Sequence, residues 1–262
     1  MATASVNGIT LSYSDSGGDG PAVVLSHGYL MDSAMFEPQV SALAPEYRVI
    51  TWDERGFGET RATGPFSYWD SAGDVLALLD HLGIEQAVLG GMSQGGFVSL
   101  RAALTAPPRV RALILIDSQA GTEDPATVPA YEQLHQTWLA HGPGPVRDIV
   151  ASIILGPPDG TVDYAPWFAK WDKLDLEELT YPFRTLIDRE DITSRLSEIS
   201  CPALILHGTA DAAIPLARAE EVQAGLAGPA ALVQIDGGSH ASNLSNPDQV
   251  NVAMLEFLRS LP

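Results

Sequence analysis

Cysteine is all but missing from this chain of 262 residues, with Cys201 the single example. One thiol excludes an intramolecular disulfide and a cysteine metal cluster, and it agrees with a reducing compartment. Cys201 precedes Pro202 at the start of an apolar run, which predicts a buried structural thiol. Basic residues are also scarce, 14 against 33 acidic ones, giving a formal charge of -19. Such a chain repels phosphate backbones and anionic lipid, which argues against a nucleic-acid or membrane partner. The plainer reading of the charge is a strongly hydrated surface; the functional one is a preference for neutral or cationic substrates. No apolar run is long enough to span a bilayer, and Met1 to Thr10 is small and polar, unlike a signal peptide, so the cytoplasm is the expected address. What is present, 45% hydrophobic and 18% charged residues, is the composition of an ordinary folded domain. The length suits one large α/β domain with room for an inserted subdomain.

Ser5 to Asp15 reads as a hairpin, because Asn7-Gly8 supplies the positive backbone angles of a tight turn. Beyond Pro21, short apolar runs alternate with amphipathic stretches, the pattern of strands and crossover helices around a mostly parallel central sheet. Strands are predicted at Ala22 to Ser26, Arg48 to Trp52, Gln86 to Gly90, Val110 to Ile116, Ala203 to His207 and Leu232 to Asp236. Helices are predicted near Ser33 to Ala44, Trp69 to Leu82, Gly95 to Thr105, Leu216 to Leu226 and Pro247 to Leu258. The alternation stops after Asp117. Residues 119-199 carry many glycine and proline breaks with helix-like segments between them, and they read as a helical cap (lid) inserted between core segments 1-118 and 200-262. Trp138, Trp167 and Trp171 fall in this insertion, where they either line an apolar pocket or pack the cap onto the body.

The central motif is Gly91-Met92-Ser93-Gln94-Gly95, placed between the apolar run Ala87-Val88-Leu89 and a helix-like stretch. G-x-S-x-G in a strand-turn-helix context puts the serine on a sharp turn above the sheet, where side chains two positions away would collide with neighbouring elements. The plainer alternative is a glycine-rich turn with an incidental serine. A serine hydroxyl is a poor nucleophile at neutral pH, so it needs a histidine to take its proton and a carboxylate to orient that histidine. Both follow in the chain. Asp211, in His207-Gly208-Thr209-Ala210-Asp211, lies after one predicted strand, and His240 lies after the last one.

With these motifs in order, the chain resembles the α/β-hydrolase fold superfamily of serine hydrolases with a helical lid, which includes esterases, lactonases and haloperoxidase-like relatives. Ser26-His27-Gly28-Tyr29 and Asp53-Glu54-Arg55-Gly56-Phe57-Gly58 add to a likeness that covers essentially the whole chain. The resemblance implies Ser93 as nucleophile, His240 as general base and Asp211 as the orienting acid. It also implies an oxyanion site made by the backbone N–H groups of Gln94 and Tyr29. Asp117, at the end of its strand, is the rival acid; Asp211 is preferred because His-Gly-x-x-Asp matches the usual acid loop. His27 and His207 read as structural, and His81, His135 and His141 as surface or packing residues. Arg55 reads as a local turn pairing more than as an anion-binding group. No metal is expected, because no histidine pair has a convincing spacing, and no cofactor.

The expected activity is hydrolysis of a small-molecule carboxylic ester or lactone through an acyl-enzyme. A carbon-carbon bond hydrolase or a cofactor-free perhydrolase would use the same residues, although His27-Gly28-Tyr29-Leu30-Met31 lacks the extra glycines associated with many carbon-carbon hydrolases. From a different class, a ligand receptor with slow turnover would keep the same fold.

Overall fold

The computed structural model describes residues 1–262. It opens with an antiparallel hairpin of β1 (Ala2–Val6) and β2 (Ile9–Asp15). Asn7 (φ 46°) and Gly8 (φ 78°) make its turn, both in the left-handed region that Asn and Gly tolerate best. The first strand begins earlier than Ser5 because the small residues around Ala4 alternate buried and exposed without a strong apolar signal.

The chain then runs through β3 (Ala22–Ser26), α1 (Glu37–Leu43), β4 (Arg48–Trp52), α2 (Tyr68–His81), β5 (Ala87–Met92), α3 (Gln94–Thr105) and β6 (Val110–Ile116). The helix expected over Ser33 to Ala44 is split into a 3-10 turn, Ser33–Phe36, followed by α1. Pro38 is the reason: it has no N–H to continue an α-helical ladder, but it fits the first turn of a new helix. Four helices follow without an intervening strand: α4 (Val128–His141), α5 (Arg147–Ile154), α6 (Ala165–Trp171) and α7 (Thr180–Ile187). Then come β7 (Ala203–Gly208), α8 (Leu216–Gly225), β8 (Ala230–Ile235), a single turn α9 (Ser242–Ser245) and α10 (Pro247–Ser260). The last strand lies two residues before its expected start, since Ala230 pairs with Ala203 despite its weak strand propensity.

The eight strands form one sheet in the order β1-β2-β4-β3-β5-β6-β7-β8. β2 meets β4 antiparallel, and every pairing from β4 to β8 is parallel. Strand alternation divides the interior into two cores. On β6, Leu113 and Leu115 join one core with α2, α3 and α8, whereas Ala112, Ile114 and Ile116 join the other with α1 and α10. Trp138, Trp167 and Trp171 from the four-helix segment extend this second core, so two layers of helix sandwich the sheet. Cys201 is half-buried, less enclosed than expected, because Pro202 and Gly228 turn the chain beside it at the rim. No helix is long and apolar enough to cross a membrane.

Candidate active site

The parallel strands all point their carboxyl ends to one edge, so the loops after β3, β5, β6, β7 and β8 converge there. Ser93 follows β5 with φ 50° and ψ -112°, a strained conformation for a non-glycine residue, and its carbonyl accepts from Gly96, Phe97 and the Ser118 hydroxyl. The elbow demands glycine at both flanks. A Cβ on Gly95 would come 1.9 Å from the Ser26 carbonyl oxygen, and one on Gly91 would come within 2.5 Å of the same atom.

His240, in the loop after β8, places Nε2 3.0 Å from Ser93 Oγ. Its Nδ1 lies 2.9 Å from Asp211 Oδ2, so the tautomer that fits has Nδ1–H donating to the carboxylate and Nε2 accepting from the serine hydroxyl. Asp211 Oδ1 accepts from the backbone N–H groups of Ala213 and Ile214 at 2.8 and 2.9 Å. The structure thus brings Ser93, His240 and Asp211 into one continuous relay. Burial disfavours the charged form of the His240 imidazole, but the Asp211 carboxylate, its hydrogen bond and the more distant Asp117 and Glu123 outweigh that, so its pKa is raised. Burial likewise pushes Asp211 up, and the His240 charge with the three hydrogen bonds more than reverses it.

Asp117 does not contact His240. It is fully buried at the end of β6, with φ 49°, and its Oδ1 accepts from Gly208 N–H at 2.7 Å while its Oδ2 accepts from Ser242 N–H at 3.0 Å. One carboxylate therefore ties the acid loop to the histidine loop. Burial and the nearby Asp211 push its pKa up. Asp117, His207 and Asp211 come close enough that three ligand atoms lie within 4.8 Å of one another. Both Asp117 oxygens and both Asp211 oxygens already accept hydrogen bonds, and His207 Nε2 donates to the Ile214 carbonyl at 2.9 Å, while His207 Nδ1 is buried without a partner.

Neither Tyr29 nor Gln94 has a partner for its backbone N–H within the protein. Tyr29 stands in a turn closed by Met31 N–H to Gly28 O, with Leu30 at φ 61°, and Gln94 is the first residue of α3. Free N–H groups at a helix start and in a tight turn are a ready site for a developing oxyanion. His27 supports this loop: its Nε2 accepts from Glu54 N–H at 2.9 Å, and its Nδ1 faces Gly28 O at 2.8 Å. Arg55 forms a bidentate pair with the buried carboxylate of Asp74 on α2, so it is structural.

Between the sheet edge and the four inserted helices lies a pocket lined by 18 residues, 14 of them hydrophobic, with Ser93 and His240 in its wall. α4 contributes Tyr131, Leu134, His135 and Trp138, one helical stripe at spacings of three and four. That stripe was the signal by which the sequence could have assigned these residues to the pocket. His135, expected as a surface or packing residue, does pack, buried and stacked 3.8 Å from the Phe183 ring, and it also lines the cavity. Of the three cap tryptophans, Trp138 lines the pocket, whereas Trp171 donates its indole N–H to Leu30 O at 2.6 Å and packs the cap onto the turn that carries Tyr29.

Comparison with known proteins agrees with the fold. The family model described as the alpha/beta hydrolase fold matches residues 21–152, and one for TAP-like proteins matches residues 183–261. The chain belongs to the α/β-hydrolase family. Among curated members of this family it is 28% identical to 3-oxoadipate enol-lactonase 1 of Acinetobacter baylyi, over 97% of this chain and 95% of that protein. It is 30% identical to a putative carbamate hydrolase RutD of Azorhizobium caulinodans, over 92% of each. Among solved structures, the enol-lactonase from Burkholderia xenovorans LB400 superposes with a TM-score of 0.88 at 29% identity, covering 99% of this chain and 100% of that one. A thermophilic esterase from Thermogutta terrifontis superposes with a TM-score of 0.88 at 27% identity, covering 99% and 98%.

Proposed function

We propose that this α/β hydrolase is a serine esterase or lactonase that works through an acyl-enzyme on Ser93. The observation that carries the reading is the relay Ser93 Oγ, His240 Nε2, His240 Nδ1, Asp211 Oδ2, with links of 3.0 and 2.9 Å, set in the wall of an apolar pocket. His240 takes the Ser93 proton as the oxygen attacks the substrate carbonyl, and the oxyanion forms against the N–H groups of Tyr29 and Gln94. Collapse of the tetrahedral adduct expels the alcohol, protonated by His240; water then repeats the sequence and frees the acid. Asp211 holds the imidazole in the required tautomer and stabilises its charged form. Relatives named as enol-lactonases and an esterase support the ester or lactone class over the carbon-carbon and receptor alternatives. The acidic surface favours a small molecule over nucleic acid or a lipid surface as partner.

The test is hydrolysis of p-nitrophenyl butyrate by wild type and by Ser93→Ala between pH 5 and 9. Wild type turns over at about 1 per second or faster, and the variant loses at least ~10^4-fold. Because a raised His240 pKa keeps the base protonated to higher pH, the acidic limb of kcat/KM sits above the ordinary histidine value and activity is lost as pH falls through it. A Ser93→Ala protein as active as wild type overturns the proposal.

A further inference from the structure

Charge in the pocket wall separates substrate classes that the catalytic relay alone treats alike. Apart from Ser93 and His240, its only non-hydrophobic lining residues are Glu123 and His135, and no lysine or arginine lines it. Glu123 pairs with Arg189, Nη1 to Oε1 at 2.9 Å, but the guanidinium is not part of the cavity lining. It donates to Gly121 O and Leu186 O and stacks 4.4 Å over the Phe97 ring, whereas Glu123 is part of the lining. His135 offers no cation either: burial, with Arg184 adding to it, holds its pKa down at about 4, so the ring is neutral at physiological pH. Away from Ser93 and His240, a carboxylate entering this space leaves water and meets the Glu123 carboxylate, whose partner Arg189 stands outside the lining, the neutral His135 ring, and aromatic and aliphatic side chains.

We infer that the pocket selects uncharged esters or lactones with a largely apolar flank and rejects those that carry a free carboxylate, with Glu123 as the rejecting group. This rests on the serine-hydrolase reading and goes beyond it by naming the substrate class. It also sets this chain apart from an activity on 3-oxoadipate enol-lactone: a six-carbon diacid with one carboxyl closed into the ring keeps the other free. The structural reasons are desolvation and like charge, neither of which a hydrophobic contact elsewhere in the pocket repays.

The test compares two nearly isosteric esters, p-nitrophenyl 5-oxohexanoate and mono-p-nitrophenyl glutarate, in which a methyl ketone replaces the carboxylate. Wild type is expected to favour the neutral ester by ~100-fold or more in kcat/KM, and Glu123→Gln, which leaves the Arg189 charge unopposed, is expected to narrow that ratio at least tenfold. Fluorophosphonate labelling of Ser93 runs alongside. Equal kcat/KM for the two esters with labelling intact overturns the neutral-substrate assignment alone; absence of both turnover and labelling overturns the serine reading on which it rests. If Ser93 labels but neither ester turns over, protection from labelling decides: protection by 4-acetylphenylboronic acid and not by 4-carboxyphenylboronic acid upholds the assignment, and equal protection overturns it.

Discussion

The sheet edge and the helical cap meet at the same pocket but are built by different means. At the edge, each candidate catalytic residue sits one to five residues past a strand whose backbone ladder fixes it, and Asp117 adds a carboxylate clamp between the acid and histidine loops. The cap has no ladder to the sheet. Isolated bonds tie it to the edge: Trp171 Nε1–H to Leu30 O, Ala241 N–H to Ile154 O at 2.8 Å, the Lys170 to Asp32 pair and Thr185 Oγ–H to Phe66 O. Three of these land on the loops that carry Tyr29 and His240. The difference teaches that bond-making geometry belongs to the rigid part, while shape and charge of the pocket belong to a part that can vary without disturbing it.

That division can be broken from either side. The largest effect is expected from Asp211→Asn, which keeps the shape but loses the charge that supports His240; kcat should fall by ~10^3–10^4-fold while the neutral-over-anionic preference is unchanged. A fall of less than tenfold would mean that another group, with Asp117 the first suspect, serves as the acid. Next is Asp117→Asn. Its amide NH2 must face either Gly208 N–H or Ser242 N–H, leaving two donors opposed in a dry site, and unfolding stability in urea should drop by about 1–3 kcal/mol. Unchanged stability would show that the two loops are held by their strands alone. Smaller again is Trp171→Phe, which removes the indole bond to Leu30 O and little packing; about 1 kcal/mol should be lost in urea melts, with KM for bulky esters rising more than kcat falls. If kcat falls most, the cap helps to form the oxyanion site and the division drawn here is too sharp.

The same contrast explains what could be read from the sequence. β3, β4 and β6 match their expected bounds because doubly covered parallel strands are short unbroken apolar runs, and Ser93 is conspicuous because its turn tolerates only glycine at Gly91 and Gly95. Asp211 and His240 were recognisable by their places after two such strands. Glu123 was not, and His135 only through the α4 stripe. Their roles depend on how the helices of residues 119–199 fold back over the sheet, a tertiary fact with no local periodicity to report it, beyond the stripe on α4. Asp117 was seen as a rival acid because its position along the strand was legible; that its oxygens face Gly208 and Ser242 instead of His240 is decided by the direction of one side chain at φ 49°.

The most direct test of the account is to treat the purified protein with a fluorophosphonate, digest it and locate the adduct by peptide mass. The account predicts one adduct, on Ser93, formed more slowly as pH falls and His240 becomes protonated, and absent from Ser93→Ala. An adduct on another residue, or none on a folded protein, contradicts it.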